Sequence, residues 1–160
     1  MSYDAPKGPI FTAAFGSSAL SASAHDVFGI LAPSNSRVRI EEIVLTQPSS
    51  EGTDFSVQLL RGSTASSTST AITPRHIHGW SDMVAGSSVT GPSTTLVSTT
   101  SAVVLYSDGT SDLRWAYKPA PCDRPIINVG QRLHVRVSAL STGRLNGTIT
   151  FSEIGKPAST

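Results

Sequence analysis

The residue types best suited to chemistry stand at His76-Ile77-His78, with Asp82 four residues on. Two histidines at i and i+2 on a strand share one face and can grip a single metal ion, with an acid as a further ligand. A third nitrogen would have to come from His134, four residues after Gly130. His134 alternates with Leu133 and Val135, so it faces away from the core that those residues line. No metal site is expected, and the histidines read as surface or interface residues. Hydrolytic chemistry fares no better. The chain has no Gly-x-Ser-x-Gly elbow and no glycine loop followed by Lys-Ser or Lys-Thr. Glu41 and Glu42 are neighbours on a strand, so their side chains diverge unless a bulge intervenes. They fit ion pairs better than a pair of acids across a cleft. Neither a catalytic residue nor a cofactor is expected.

Three other groups are suited to binding. Arg132, His134 and Arg136 form a polar stripe on one strand. Its expected roles are an outer face paired with Glu41 or Glu42, or a contact to an acidic protein surface. No aromatic residues interleave with it, the net charge is +1, and only 14% of residues are charged. Nucleic acid and membrane are therefore not expected partners. Trp115 and Tyr117 share a face, and their alternation with Arg114 and Ala116 fits core packing better than a sugar-stacking platform. Trp80, in a long loop, is the better stacking candidate. Asn146-Gly147-Thr148 matches the glycan acceptor pattern but reads as turn and strand chemistry.

These residues are carried by strands. From Leu133 the apolar positions recur at every second residue through Val135, Val137 and Ala139, the period of a half-buried strand. Leu145, Gly147, Ile149 and Phe151 repeat the pattern after a short Ser141–Arg144 link, which predicts a hairpin. Arg37–Ile40 alternates cleanly, Glu41-Glu42 marks a bulge, and Ile43 and Leu45 resume the pattern. Phe55, Val57 and Leu59 alternate in turn. The count is about eight strands with no amphipathic helix. This predicts an all-β, single-domain two-sheet β-sandwich of jelly-roll type over residues 25–154.

Residues 1–24 are rich in Gly, Ser, Ala and Pro, with an apolar island at Ile10, Phe11 and Phe15. They read as an extended arm, either a frayed terminus or a segment that docks its aromatics on a neighbouring subunit, and residues 155–160 as a loose tail. Residues 79–101 read as a long loop, either a functional excursion or a segment ordered by a partner at an interface. A single cysteine, Cys122, leaves the fold to packing. The first residues lack a basic segment followed by an apolar run, so no signal peptide is expected.

Several framework segments carry a resemblance. Phe28-Gly-Ile-Leu-Ala-Pro33 leads into Arg37-Val-Arg-Ile-Glu-Glu-Ile43. Leu59-Leu-Arg-Gly62 precedes a Ser/Thr loop and Thr73-Pro-Arg75. Ala116-Tyr-Lys-Pro-Ala-Pro121, Arg124-Pro125 and Val129-Gly-Gln-Arg-Leu133 follow. Over residues 25–154 the chain resembles the small jelly-roll decoration, cement or head-fibre-like proteins of tailed bacteriophages. The resemblance implies a non-enzymatic virion protein, made in the host cytoplasm, that binds the outside of a capsid. Its implied partners are the major capsid protein and further copies of itself, as a homotrimer or a dimer. The contact residues expected are Ile10, Phe11, Phe15, Trp80, Arg132, His134 and Arg136. The alternative is a carbohydrate-binding or tail- or neck-fibre-like module that recognises cell-surface glycans.

Overall fold

The computed structural model describes residues 8–19, 23–48, 54–64, 69–78, 83–93, 95–97, 102–110, 113–138 and 143–155. Twelve strands appear among them. Eight have four residues or more: β1 (Ile10–Ala19), β2 (His25–Leu31), β3 (Arg37–Thr46), β4 (Phe55–Gly62), β8 (Val103–Thr110), β9 (Arg114–Tyr117), β11 (Arg132–Val137) and β12 (Arg144–Ile154). The short ones are β5 (Ala71–Ile72), β6 (Arg75–His76), β7 (Ser88–Thr90) and β10 (Ile126–Ile127). A 3-10 turn at Pro121–Asp123 is the helical exception.

The strands form two antiparallel sheets. The first runs β10-β3-β12-β1-β6, with β9 also paired to β3. The second runs β5-β7-β2-β11-β4-β8. Their facing sides bury a single apolar cluster that includes Phe11, Phe28, Phe151, Ile30, Ile40, Ile43, Leu59 and Leu133. The all-β two-sheet sandwich read from the alternation is the architecture observed.

The predicted hairpin is not formed. β11 lies in the second sheet between β2 and β4, and β12 in the first between β1 and β3. The link between them therefore crosses from one sheet to the other. Alternation requires one face of each strand to be buried. Face-to-face packing meets that requirement as well as side-by-side pairing does, so the pattern alone does not choose.

The extended arm also needs correction. Residues 10–19 are β1, which pairs along β12 from Ile10–Ser152 to Ala19–Arg144. Phe11 is fully buried, with its ring 5.8 Å from that of Phe151 and edge-on to His76 at 5.6 Å. Phe15 faces Gly147 across the strand pair. A Cβ at residue 147 would lie 2.3 Å from Phe15 Cε1 and 2.9 Å from Phe28 Cε2. The missing side chain thus makes the space that the Phe15–Phe28 pair fills, with ring centroids 5.0 Å apart. Low overall apolar content hid this role, because β1 contributes only one face to a core built mainly by other strands. Residues 1–7 and 20–22 of the expected arm, and 156–160 of the expected tail, lie outside the described residues.

The bulge expected at Glu41-Glu42 is present. Glu42 pairs with Thr150 and Ile40 with Phe151, which leaves Glu41 as the extra residue. Its carboxylate accepts from Arg39 Nε at 2.8 Å and Ser152 Oγ at 2.6 Å, and pairs with Arg124. Glu42 meets Lys118 at 3.8 Å. The two acids are thus ion-pair residues on separate partners.

Candidate functional site

The β11 stripe illustrates how burial changes the meaning of polar residues. Arg132, His134 and Arg136 do project from the outer side of the second sheet, opposite the fully buried Leu133, Val135 and Val137. The outer side is nevertheless covered. His134 is 1% exposed and Arg136 8%, while Arg132 is half-buried. The expected open face, and the expected pairing with Glu41 or Glu42, are both replaced.

The cover comes from the long Ser/Thr-rich loops. Arg136 Nε donates to Asp26 Oδ1 at 2.7 Å and Nη2 to Asp26 Oδ2 at 3.2 Å. The same Nη2 donates to the Val97 carbonyl at 2.6 Å, and Val97 N donates back to Asp26 Oδ2 at 2.8 Å. Asp26 and Ser93 exchange two backbone hydrogen bonds, at 3.2 and 3.0 Å. A bidentate buried ion pair therefore clamps Val97 over the sheet. This part of the excursion expected to serve a partner instead closes the chain's own surface.

His134 Nε2 lies 3.0 Å from the Thr64 carbonyl, and among the described residues Nδ1 has no hydrogen-bond partner. Gly29 stands beside it across the β2–β11 pair, where a Cβ would be 3.4 Å from Nδ1. Burial holds the imidazole below the usual histidine range. Asp26 and the Thr64 carbonyl pull upward, and Arg132 and Arg136 push further down. In the unfolded chain the ring titrates near about 6.5. Between the two values the unfolded state binds more protons, so stability rises with pH. This contribution is complete above the unfolded value and is lost as pH falls toward the folded one. The urea midpoint is expected to drop between about pH 7.5 and about pH 5, with a shallower drop in His134→Gln. Parallel pH profiles for the two proteins would contradict this.

His76 and His78 are neighbours, with rings 5.5 Å apart and the His78 N–H directed at His76 Nδ1 at 3.3 Å. Their face is shared with Phe11, and Asp82 lies outside the described residues. Among the described residues no group of three His, Cys, Asp or Glu is arranged to hold a metal ion. Trp80 likewise lies outside them.

A different feature emerges where the two sheets end side by side, at β8 and β9. Tyr106 and Tyr117 approach at 4.8 Å, and Trp115 and Tyr117 lie nearly parallel at 6.2 Å. Asp108 joins the sheets through its carboxylate. Oδ2 accepts from Tyr106 Oη at 2.9 Å and Trp115 Nε1 at 3.3 Å, and Oδ1 from Gly109 N at 2.8 Å. The hydrogen bond to Asp108 is the main cause that raises the Tyr106 hydroxyl, and its counterpart lowers the Asp108 carboxyl. Burial raises Tyr117, with help from Asp123. Trp115 is 4% exposed, which supports its reading as core and removes it as a stacking platform.

Beside this closure, β8 presents large apolar side chains to solvent: Val103 at 56%, Val104 at 48% and Leu105 at 38% exposure, with Leu113 nearby in sequence at 39%. The run Ala102-Val-Val-Leu-Tyr106 reads as an apolar strand, and no local pattern in it marks an exposed face. The signal available was the absence of alternation at a sheet margin, where either face can meet solvent.

The expected contact residues are thus dispersed. Phe11 and Phe15 pack in or against the core, His134 and Arg136 lie under loops, and Ile10 is half-buried on β1. No protein-family model matches the sequence, and a search of curated proteins finds no significant match.

Proposed function

We propose that this chain is a non-enzymatic structural protein of a virion, which binds the outside of a capsid and stabilises it. The observation that carries the reading is the exposed apolar β8. Its Val103, Val104 and Leu105 offer an apolar surface suited to contact with a partner. The groups that chemistry would need are engaged inside the domain: Arg136 with Asp26, His134 against Thr64, and Glu41 with Arg39 and Arg124.

The wiring of the sandwich supports the same reading. The strands β1-β12-β3-β9 face β2-β11-β4-β8. Successive long strands switch sheets, except where β4 leads through the short strands to β8. This order supports the jelly-roll reading, two Greek keys folded face to face. Such a domain exposes rigid strands and places its partners by surface burial. The partners in this reading are the major capsid protein and further copies of the chain.

The test is co-sedimentation with assembled capsid shells. The protein is expected to pellet with shells to a saturable occupancy, and Val104→Lys to reduce that occupancy several-fold by placing a charge in an apolar contact. Absence of the wild-type protein from the shell pellet would overturn the proposal.

A further inference from the structure

The outer sides of the two sheets differ. On the second sheet His134 and Arg136 are covered. The outer side of the first sheet is open and flat. Ala116, Val44, Thr148 and Ala14 form one row across β9, β3, β12 and β1, with Val44 half-buried and the other three exposed. Charge gathers around this row. Arg37 and Arg39 point outward on β3, because Val38 and Ile40 are turned into the core. Arg75 on β6 stands opposite Thr12, and Arg114 on β9 opposite Thr46. Arg144 opens β12 opposite Ala19. Arg124 and Lys118 reach the same side through Glu41 and Glu42. Seven of the chain's twelve Lys and Arg residues thus meet on one face, where the acids paired with them are Glu41 and Glu42. The net charge of +1 conceals this separation. The exposed Asp54 and Asp108 lie instead beside β4 and on β8, in the second sheet.

Such a face favours an anionic partner, and its layout selects the kind. Arg37, Arg75, Arg114 and Arg144 are exposed. They stand at separate points of the border. Arg114 and Arg144 lie at one end of the strands, Arg37 at the other, and Arg75 at the β6 margin. From Arg37 to Thr46, β3 covers roughly 30 Å, and the uncharged Ala116–Ala14 row crosses between. Duplex nucleic acid carries one charge per about 1.7 Å and is matched by a contiguous track of cations. Single strands need exposed rings to stack on, and Phe11, Phe151 and Trp115 of this sheet are buried. Spaced guanidinium forks around a flat neutral centre instead match discrete carboxylates on a folded surface, each open to a bidentate pair. The strands from β9 to β6 span roughly 19 Å at their usual spacing. The face therefore measures on the order of 600 Å², near one partner's share of a standard interface, about 800 Å².

We infer that the outer face of the first sheet docks the acidic surface of a folded partner protein, anchored by Arg37, Arg75, Arg114 and Arg144. This contact is separate from the exposed apolar β8, which borders the second sheet. In the capsid reading it is a second attachment, and it assigns an acidic patch to the shell protein. The inference itself stands on the charge layout and goes beyond that reading.

The test is binding of the full chain to three immobilised probes, read by surface plasmon resonance. The probes are succinylated lysozyme, whose lysines have become carboxylates, unmodified lysozyme of the same shape, and duplex DNA. At about 50 mM salt the wild type is expected to bind the succinylated protein and not the unmodified one, and to lose about tenfold in affinity by about 300 mM. Arg37→Gln with Arg75→Gln is expected to weaken this binding about tenfold. Both side chains are exposed, so their loss leaves the core intact. Arg61→Gln with Arg132→Gln removes the same charge from β4 and β11 of the second sheet, and is expected to cost less than about threefold. Equal losses from the two pairs, an affinity indifferent to salt, tighter binding to the DNA, or no binding to succinylated lysozyme each overturns the inference. Shells that ignore a chain passing this test remove the capsid reading alone. Shells that bind a chain failing it leave that reading standing.

Discussion

Arg136→Ala is expected to lower the unfolding free energy by about 3–5 kcal/mol, the usual cost of stranding one member of a buried ion pair. Asp26 has no exposed side-chain surface and Arg136 only 9%. Without the guanidinium, the Asp26 carboxylate keeps the Val97 N–H but loses two charge-assisted hydrogen bonds. The Val97 carbonyl loses its Arg136 donor at the same time. Urea unfolding followed by tryptophan fluorescence would measure the effect. Hydrogen exchange at Val97 would show whether the cover there loosens with it. Replacing both partners, as Asp26→Leu with Arg136→Met, is expected to cost less than either single truncation plus its orphaned charge. A loss under about 1 kcal/mol for Arg136→Ala would match the median of an exposed pair instead. The outer face would then be open in solution.

Phe11→Ala is expected to cost about 3–5 kcal/mol, the range for truncating a buried aromatic. Phe11 is fully buried and contacts both Phe151 and His76 through its ring. Deletion of residues 2–19 is expected to go further and abolish cooperative unfolding. It removes β1, and with it the pairing of β12 along one entire side. Against a total stability of about 5–15 kcal/mol for an ordinary domain, either change is large. Circular dichroism and denaturant melts of the truncated chain would decide the matter. A truncated chain with an unchanged melt would return residues 10–19 to the role of a detachable arm, as their composition first implied.

Part of the candidate surface was legible before any coordinates. The inward rows Leu133, Val135, Val137 and Val38, Ile40, Ile43, Leu45 were read from spacing, and all are fully buried. The Glu41 bulge was signalled by two adjacent polar residues where alternation demanded one. Trp115 and Tyr117 were placed on one inward face by the same rule. The His134 and Arg136 side chains were also placed on the correct side of β11. What failed was the inference that the outer side is open, because periodicity reports direction and not what lies beyond. Arg136 meets Asp26, 110 positions away in the chain, and no local pattern announces such a partner.

The sequence by itself determined that this chain is a sandwich of strands and which face of most long strands is dry. Both follow from the two-residue period of the extended backbone, a local property. Tertiary structure decided everything that depends on neighbours. It separated β11 and β12 into different sheets, drew β1 into the first sheet, and laid Val97 over the second. It also left β8 at a sheet margin with apolar side chains exposed. Those outcomes are set by which strand occupies each row of backbone hydrogen bonds and by what covers each outer face. Such choices minimise exposed apolar area and unpaired polar groups over the whole molecule, so they are absent from any single stretch of it.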